Sequence, residues 1–264
     1  MKVLRSRENP IFKDLQRVAC SSRERRSRGV TVLEGERLVG AYVDAGGVAE
    51  ILAASEAAMQ RDGLRYLFAS APAGVRVILD DALLERLSQV VTASGLFAVV
   101  RTPESSPLPE VLGDCLLLEG IQDPGNLGSM LRTAAAANVS RILLSHGSVF
   151  AWSPKVVRAG MGAHFHLDIH EGIDLQAASR RAQGEILATV VQADCSLHAC
   201  DLRWPIAWLF GNEATGLSPP LAHIASRRVA IPMPGSAESL NVAAAAAICL
   251  FEQVRQRSAA GTGQ

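Results

Sequence analysis

At 264 residues, with 48% apolar and 20% charged side chains, the sequence is that of a soluble globular chain with material for one large domain or two ordinary ones. Acidic and basic residues balance at 26 each, so bulk charge singles out no class of partner. No apolar stretch is long and turn-free enough to span a bilayer, and the charged start lacks the apolar run of a signal peptide. Five cysteines, Cys20, Cys115, Cys195, Cys200 and Cys249, fit no disulfide framework and lack paired zinc spacing; a reducing cytoplasm is the expected address.

In chain order, basic residues crowd the start. Lys2, Arg5, Arg7, Lys13, Arg17, Arg23, Arg25, Arg26 and Arg28 face only Glu8, Asp14 and Glu24. Such a segment is either a polyanion-binding end or a solvated helix face with a flexible loop. Apolar spacing over 4–20 predicts an amphipathic helix interrupted early by Pro10, followed by a basic, Ser-rich loop over 21–29. Strands are expected at 30–33, 48–53, 75–79 and 95–100, and helices at 36–43, 55–62 and 81–90. That alternation predicts a small α/β domain over residues 1–103. Pro103, Pro107 and Pro109 with small polar residues then mark an extended linker, its bounds drawn at 104–112.

A second α/β domain is expected over 113–264. Its apolar runs at 115–118, 141–144, 186–191, 206–210 and 228–231 read as buried, parallel-type strands. Helices are expected at 127–137, 154–160, 174–183, 219–224 and 240–257, the last in the Ala-rich run after Asn241.

Three of these strands run into turn motifs with helix-forming sequence behind them. They are Asp123-Pro124-Gly125-Asn126-Leu127-Gly128 with Arg132-Thr133 beyond, Leu209-Phe210-Gly211-Asn212-Glu213-Ala214-Thr215-Gly216-Leu217-Ser218, and Ile231-Pro232-Met233-Pro234-Gly235 running on to Ser239-Leu240-Asn241-Val242. Parallel sheets bind ligands at the carboxyl ends of their strands, so the three turns can meet at one edge. The third aims helix N-terminal N–H groups at whatever lies before Ser239. Neither a dinucleotide G-x-G-x-x-G nor a phosphate loop occurs, which argues against a Rossmann oxidoreductase.

The three motifs, in this order, resemble the signatures of the SpoU/TrmH family, S-adenosylmethionine-dependent RNA 2'-O-ribose methyltransferases of the SPOUT superfamily. The match runs over about residues 113–257. The stretch Leu33-Glu34-Gly35-Glu36-Arg37-Leu38-Val39 resembles the family's L30e-like substrate-binding domain. The resemblance implies a C-terminal parallel-sheet domain with a deep trefoil knot, a smaller N-terminal α/β domain that holds RNA, and a homodimer. It implies that Leu209, Gly211, Ile231, Met233 and Leu240 surround S-adenosylmethionine, and that Asn126, Arg132, Glu213, Ser239 and Asn241 line the reaction centre. A guanidinium is very hard to deprotonate, so Arg132 is expected to act as an electrostatic clamp on a phosphate and the developing alkoxide, with Asn126 orienting Arg132 or the ribose. Ser239 and Asn241 have a second reading as helix caps, and Glu213 as an exposed loop acid. Two departures, Ala214 for a frequent glycine and Gly160 for a frequent serine, bear on loop geometry and leave the reactive groups in place.

Other features invite a site and fall short of one. His164, His166 and His170 read as part of an exposed strand without a third metal ligand, and Cys195 and Cys200 near His198 suit no usual zinc unit. Trp152, Trp204 and Trp208 read as core or dimer-interface residues. The expected activity is ribose 2'-O-methylation of structured RNA, 23S ribosomal RNA before tRNA; the rival is a catalytically silent RNA-binding relative, against which the intact Asn126, Arg132 and Asn241 speak.

Overall fold

The computed structural model describes residues 3–88, 94–193 and 195–261. The first half contains β1 (Val3–Leu4), α1 (Pro10–Cys20), α2 (Ser22–Arg28), β2 (Val30–Glu34), α3 (Glu36–Asp44), β3 (Ala49–Ser55), α4 (Asp62–Ser70), β4 (Ala73–Leu79), α5 (Asp81–Glu85) and β5 (Leu96–Arg101). The second half contains β6 (Cys115–Leu118), α6 (Pro124–Ala136), β7 (Arg141–Ser145), α7 (Pro154–Gly160), β8 (Asp168–Ile173), α8 (Leu175–Ser179), β9 (Glu185–Thr189), β10 (Cys195–Ser196), β11 (Ile206–Phe210), α9 (Pro219–Ile224), β12 (Arg227–Ala230) and α10 (Val242–Gly261). Residues 1–104 together with 152–165 form one compact unit; 105–151 and 166–264 form the other.

The first unit is built on a five-stranded mixed sheet in the order β1-β4-β3-β5-β2. Phe12, Leu15 and Val18 of α1 are buried against Val30, Val77, Leu79 and Val99. Pro10 does not interrupt this helix but begins it: the Asn9 side chain accepts the Ile11 N–H, and proline fits the first turn, where its missing N–H costs nothing. The expected loop over 21–29 is helix α2. Ser21 Oγ accepts the Glu24 N–H, and Gly29 closes the helix at φ 60°. The expected helix over 55–62 is a single 3₁₀ turn at Ala58–Gln60, and the regular helix follows it as α4, with Leu64 and Phe68 facing the core. The helix expected over 81–90 is regular only in α5, and residues 89–90 lie outside the described residues.

Much of the N-terminal charge is already spoken for. Arg25 is buried and donates to the Val18 and Ala19 carbonyls at 2.7 and 2.8 Å, closing the end of α1. Arg17 and Arg28 share Asp14, Arg5 pairs with Glu56, and Lys13 with Glu8. Among the described residues of this segment, Arg7 and Arg23 have no such partner. The segment 152–165 belongs to this unit through specific contacts. Thr31 Oγ1 donates to the Trp152 carbonyl, Tyr42 meets Phe165 edge-on at 5.1 Å, and Arg158 lies 3.6 Å from Glu34.

The second unit holds a seven-stranded sheet, order β10-β12-β9-β11-β6-β7-β8, in which every pairing is parallel. Successive side chains on a strand face opposite ways. On one face Cys115, Leu117, Ala207 and Leu209 pack with Leu175, Ala178 and Leu221. From β11, Trp208 turns the other way and donates its ring N–H to Gln253 of α10 at 2.7 Å. Gln253 donates in turn to Asp114, which also accepts the Ile206 N–H and both terminal nitrogens of Arg257. Burial alone would raise the Asp114 carboxyl, but these donors, Arg257 first, hold it below the ordinary carboxylate range.

Strand β10 was not expected, and β8 overlaps only the end of the exposed strand expected around His164, His166 and His170. Asp168-Ile169-His170-Glu171-Gly172-Ile173 carries few apolar residues, because it lies at the sheet edge beside β7. The histidines are not an exposed strand: His164 sits in a 3₁₀ turn and is buried, and His170 is buried in β8. Trp152 and Trp208 are core residues, whereas Trp204 is 68% exposed. Among the described residues no His/Cys/Asp/Glu group could hold a metal ion, and no helix is long and apolar enough to cross a membrane.

Candidate active site

The carboxyl ends of β6, β11 and β12 open into the three turn motifs, and each turn is shaped by its own sequence. In the first, Asp123 caps α6 by accepting the Asn126 N–H at 2.8 Å, with Pro124 at the first helical position. In the second, Asn212 folds the chain back on itself. Its side-chain oxygen accepts the Ala214 and Thr215 N–H groups, its amide donates to the Gly120 carbonyl at 2.7 Å, and its backbone exchanges two hydrogen bonds with Gly216. The fold-back leaves no space over Gly211, where an added Cβ would lie 2.4 Å from both the Gly216 carbonyl carbon and the Leu217 nitrogen. In the third, Asn241 caps α10 by accepting the Ala243 and Ala244 N–H groups at 2.9 and 3.3 Å. The capping role thus falls to Asn241 and not to Ser239, and it satisfies two of the N–H groups expected to face a ligand.

A chain of side chains ties the three turns together. Asn241 donates to the Asn126 carbonyl oxygen at 2.8 Å, and Asn126 donates to Glu213 at 3.0 Å. The backbone N–H groups of Gln122 and Asp123 also reach the Glu213 carboxylate, both at 3.3 Å. Partial burial would raise this carboxyl; the donors, Asn126 foremost, outweigh it and keep the group below its usual range. Asn126 therefore bridges the other two motifs and makes no contact with Arg132.

These residues border a cavity of about 620 Å³, within the usual range for small-ligand sites. Asn126, Gly211, Glu213, Ile231, Met233, Ser239, Leu240 and Asn241 all line it. Two expected site residues do not. Leu209 is fully buried in the core, and the cavity begins with its neighbour Phe210. Arg132 lies further along α6, exposed, and among the described residues it has no hydrogen-bond or ion-pair partner. The cavity also takes in Thr189, Val190 and Val191, which the turn motifs did not indicate. The signal was the apolar run at 186–191, read as a strand of the same parallel sheet whose carboxyl end opens at the same edge; in the structure β9 lies between β11 and β12.

The family profile described as the SpoU rRNA Methylase family matches residues 115–251, which span every strand lining this cavity. The chain belongs to the SpoU rRNA methylase family. Over 97% of its length, and 95% of the relative's, it is 32% identical to an uncharacterized tRNA/rRNA methyltransferase of Synechocystis. It is 29% identical to the 23S rRNA (guanosine(2553)-2'-O)-methyltransferase RlmP of Bacillus subtilis, across 95% of this chain and 98% of that one. The crystal structure of the SpoU methyltransferase AviRb of Streptomyces viridochromogenes, in complex with AdoMet, superposes with a TM-score of 0.83 at 28% identity, covering 95% of this chain and 99% of that one. As a member of the SpoU family the chain is an RNA methyltransferase with the mixed α/β, parallel-sheet architecture of SPOUT enzymes.

The Glu213 tie has a testable pH dependence. A carboxylate whose folded-state pKa is lowered stabilises the fold above its unfolded value, and that contribution disappears as pH falls through the folded value. Glu213→Gln is therefore expected to melt below the parent protein at neutral pH, with the gap closing under acidic conditions. Thermal unfolding over a pH series checks this; a gap that persists unchanged to pH values below the carboxylate range contradicts an ionic tie.

Proposed function

We propose that this chain transfers the methyl group of S-adenosylmethionine to the 2'-hydroxyl of a ribose in 23S ribosomal RNA. The observation that carries the reading is the Asn241–Asn126–Glu213 chain, which gathers three separate turns around one cavity of ligand size. The lining fits the donor. Ile231, Met233 and the 39% exposed Leu240 offer apolar surface for an adenosine, and the missing Cβ at Gly211 lets the backbone of the second turn form the wall. Bound there, S-adenosylmethionine supplies a methyl carbon made electrophilic by its sulfonium.

The residues around it then have distinct tasks. Arg132, whose guanidinium has no hydrogen-bond or ion-pair partner among the described residues, clamps an RNA phosphate and the oxygen that gains charge as the hydroxyl proton leaves to the phosphate or a water. Glu213 already accepts from three neighbours, so it holds Asn126 and the first two turns in register. Ser239, which is not used as a cap, keeps its hydroxyl available to the ligand. The N-terminal unit, residues 1–103 with the segment that packs on it, binds the RNA backbone, with Arg7 and Arg23 as cations of its basic end that have no ion-pair partner among the described residues. The segment 231–257 threads the knot of the SPOUT fold, and the enzyme works in the cytoplasm.

The enzyme is a homodimer in this reading. Ile248 and Phe251 lie one turn apart on α10 and are 37% and 49% exposed, an apolar pair beside the buried Ala246, Cys249 and Leu250 of the same helix. Phe251→Glu is expected to convert dimer to monomer in light scattering with the circular dichroism unchanged; a dimer that survives the charge shows that another surface pairs the chains.

Two measurements test the activity. Calorimetry with S-adenosylhomocysteine against NADH must show binding of the first alone. Mapping of ribose methylation in ribosomal RNA and tRNA, with and without this protein, must show one ribosomal position that depends on it. Methylation confined to tRNA overturns the substrate, and no dependent position in either overturns the activity.

A further inference from the structure

The wall that the second turn makes has two sides. Residues 212 and 214–217 line the donor cavity on one face and a second, larger cavity of about 1160 Å³ on the other, at the carboxyl ends of β6, β7 and β8. This wall is stiffened by Asn212, which holds the 214–216 backbone on one side and the Gly120 carbonyl on the other. The second cavity also touches the first turn: Gln122 lines it, and its backbone N–H reaches Glu213.

Its chemistry is selective. Among the described residues none of those lining it is lysine or arginine, so it is no phosphate site. It presents the carboxylates of Glu119 and Asp174 instead. Each has one oxygen committed, Glu119 to the Ser218 N–H at 2.8 Å and Asp174 to the Gln176 and Ala177 N–H groups at 2.9 and 3.0 Å, and one oxygen open. The side chains of Gln122, His146 and Gln176, which share the lining, have no hydrogen-bond or ion-pair partner among the described residues. A cavity that offers acceptor-only carboxylates beside free amides and an imidazole suits a ligand edge with adjacent N–H donors.

We infer that this second cavity receives an unstacked guanine base of the RNA substrate, read along its Watson–Crick edge. Sequence-specific RNA recognition takes bases that can be splayed out and hydrogen-bonded on that edge. Guanine sets a ring N–H beside an amino group, two donors toward one carboxylate, whereas uracil sets its single N–H between two carbonyls that the carboxylate repels. Gln122, which lines the second cavity, donates its backbone N–H to Glu213, so a base held there lies beside the Asn126–Glu213 tie that borders the donor cavity. The inference rests on the reading of the chain as a ribose methyltransferase and extends it to which nucleoside is recognised.

The test reads binding without RNA or methyl transfer. Backbone amide shifts of the full chain are followed by NMR during titration with guanosine, inosine or uridine to ~10 mM, above the roughly millimolar Kd expected of a few hydrogen bonds. S-adenosylhomocysteine is titrated in parallel. Guanosine should perturb residues around Glu119, Gln122 and Asp174, with inosine and uridine at least tenfold weaker. Asp174→Asn and Glu119→Gln keep their acceptor oxygens for the neighbouring N–H groups and so preserve the local fold; at least one should weaken guanosine tenfold while leaving S-adenosylhomocysteine unchanged. Guanosine that fails to bind, binds no better than uridine, or binds both variants as well as the parent overturns the inference, whereas loss of S-adenosylhomocysteine binding alone overturns the methyltransferase reading instead.

Discussion

Arg132→Lys should lower turnover roughly a hundredfold or more while leaving the melting temperature almost unchanged, the range found when a charge-stabilising donor is removed from a reaction centre. The two halves of that expectation have separate sources. Arg132 is exposed and has no hydrogen-bond or ion-pair partner among the described residues, so removing its guanidinium disturbs no native contact, and surface changes of this kind stay within about 0.5 kcal/mol. Lysine keeps the positive charge but not the planar fork that grips two oxygens at once. Single-turnover methylation with RNA binding measured alongside decides the matter. Near-full turnover with unchanged RNA affinity removes Arg132 from the chemistry.

Gly211→Ala should abolish methyl-donor binding. The added methyl group would lie 2.4 Å from the Gly216 carbonyl carbon and from the Leu217 nitrogen, and these are backbone atoms that cannot rotate away. Overpacking typically costs 1–3 kcal/mol when the surroundings yield, and here they can yield only by pushing out the 211–217 turn. That turn walls the cavity, and the Glu213 it carries anchors Asn126. A donor affinity at least about a hundredfold lower, near 2.7 kcal/mol, is expected in calorimetry, with a lower melting temperature. Retained affinity would mean that the turn is not part of the donor site.

The sequence made the catalytic half of the molecule legible because its signals are local. Continuous apolar runs at 115–118 and 206–210 are of strand length and read as strands buried on both faces, and the Asn and Gly residues after them mark turns. Edge strands were harder to place because burial on both faces is what made the others visible: β8, interrupted by Asp168, His170 and Glu171, begins later than the exposed strand expected around the histidines, and β10 has two residues. Position along a motif also says little about where a side chain ends up. Leu209 and Phe210 are neighbours, yet alternation along β11 places Leu209 in the core cluster and brings Phe210 to the cavity. Asn126 fits an expectation that it orients Arg132, but hydrogen bonds to residues 87 and 115 positions away claim its amide. The basic N-terminus shows the same limit, since Arg25 reads as surface charge and is a buried helix closure.

The clasp at Asp114 bears on how the enzyme is made. Asp114 immediately precedes β6, and the arginine that grips it comes 143 residues later, near the end of the last helix. At roughly 5–20 residues per second a ribosome needs on the order of ten seconds to deliver Arg257 after Asp114 has emerged. Until then the opening strand of the methyltransferase unit waits with its entry unsealed. A chain that ends between Asn241 and Arg257 carries the complete set of turn residues and still lacks this fastening.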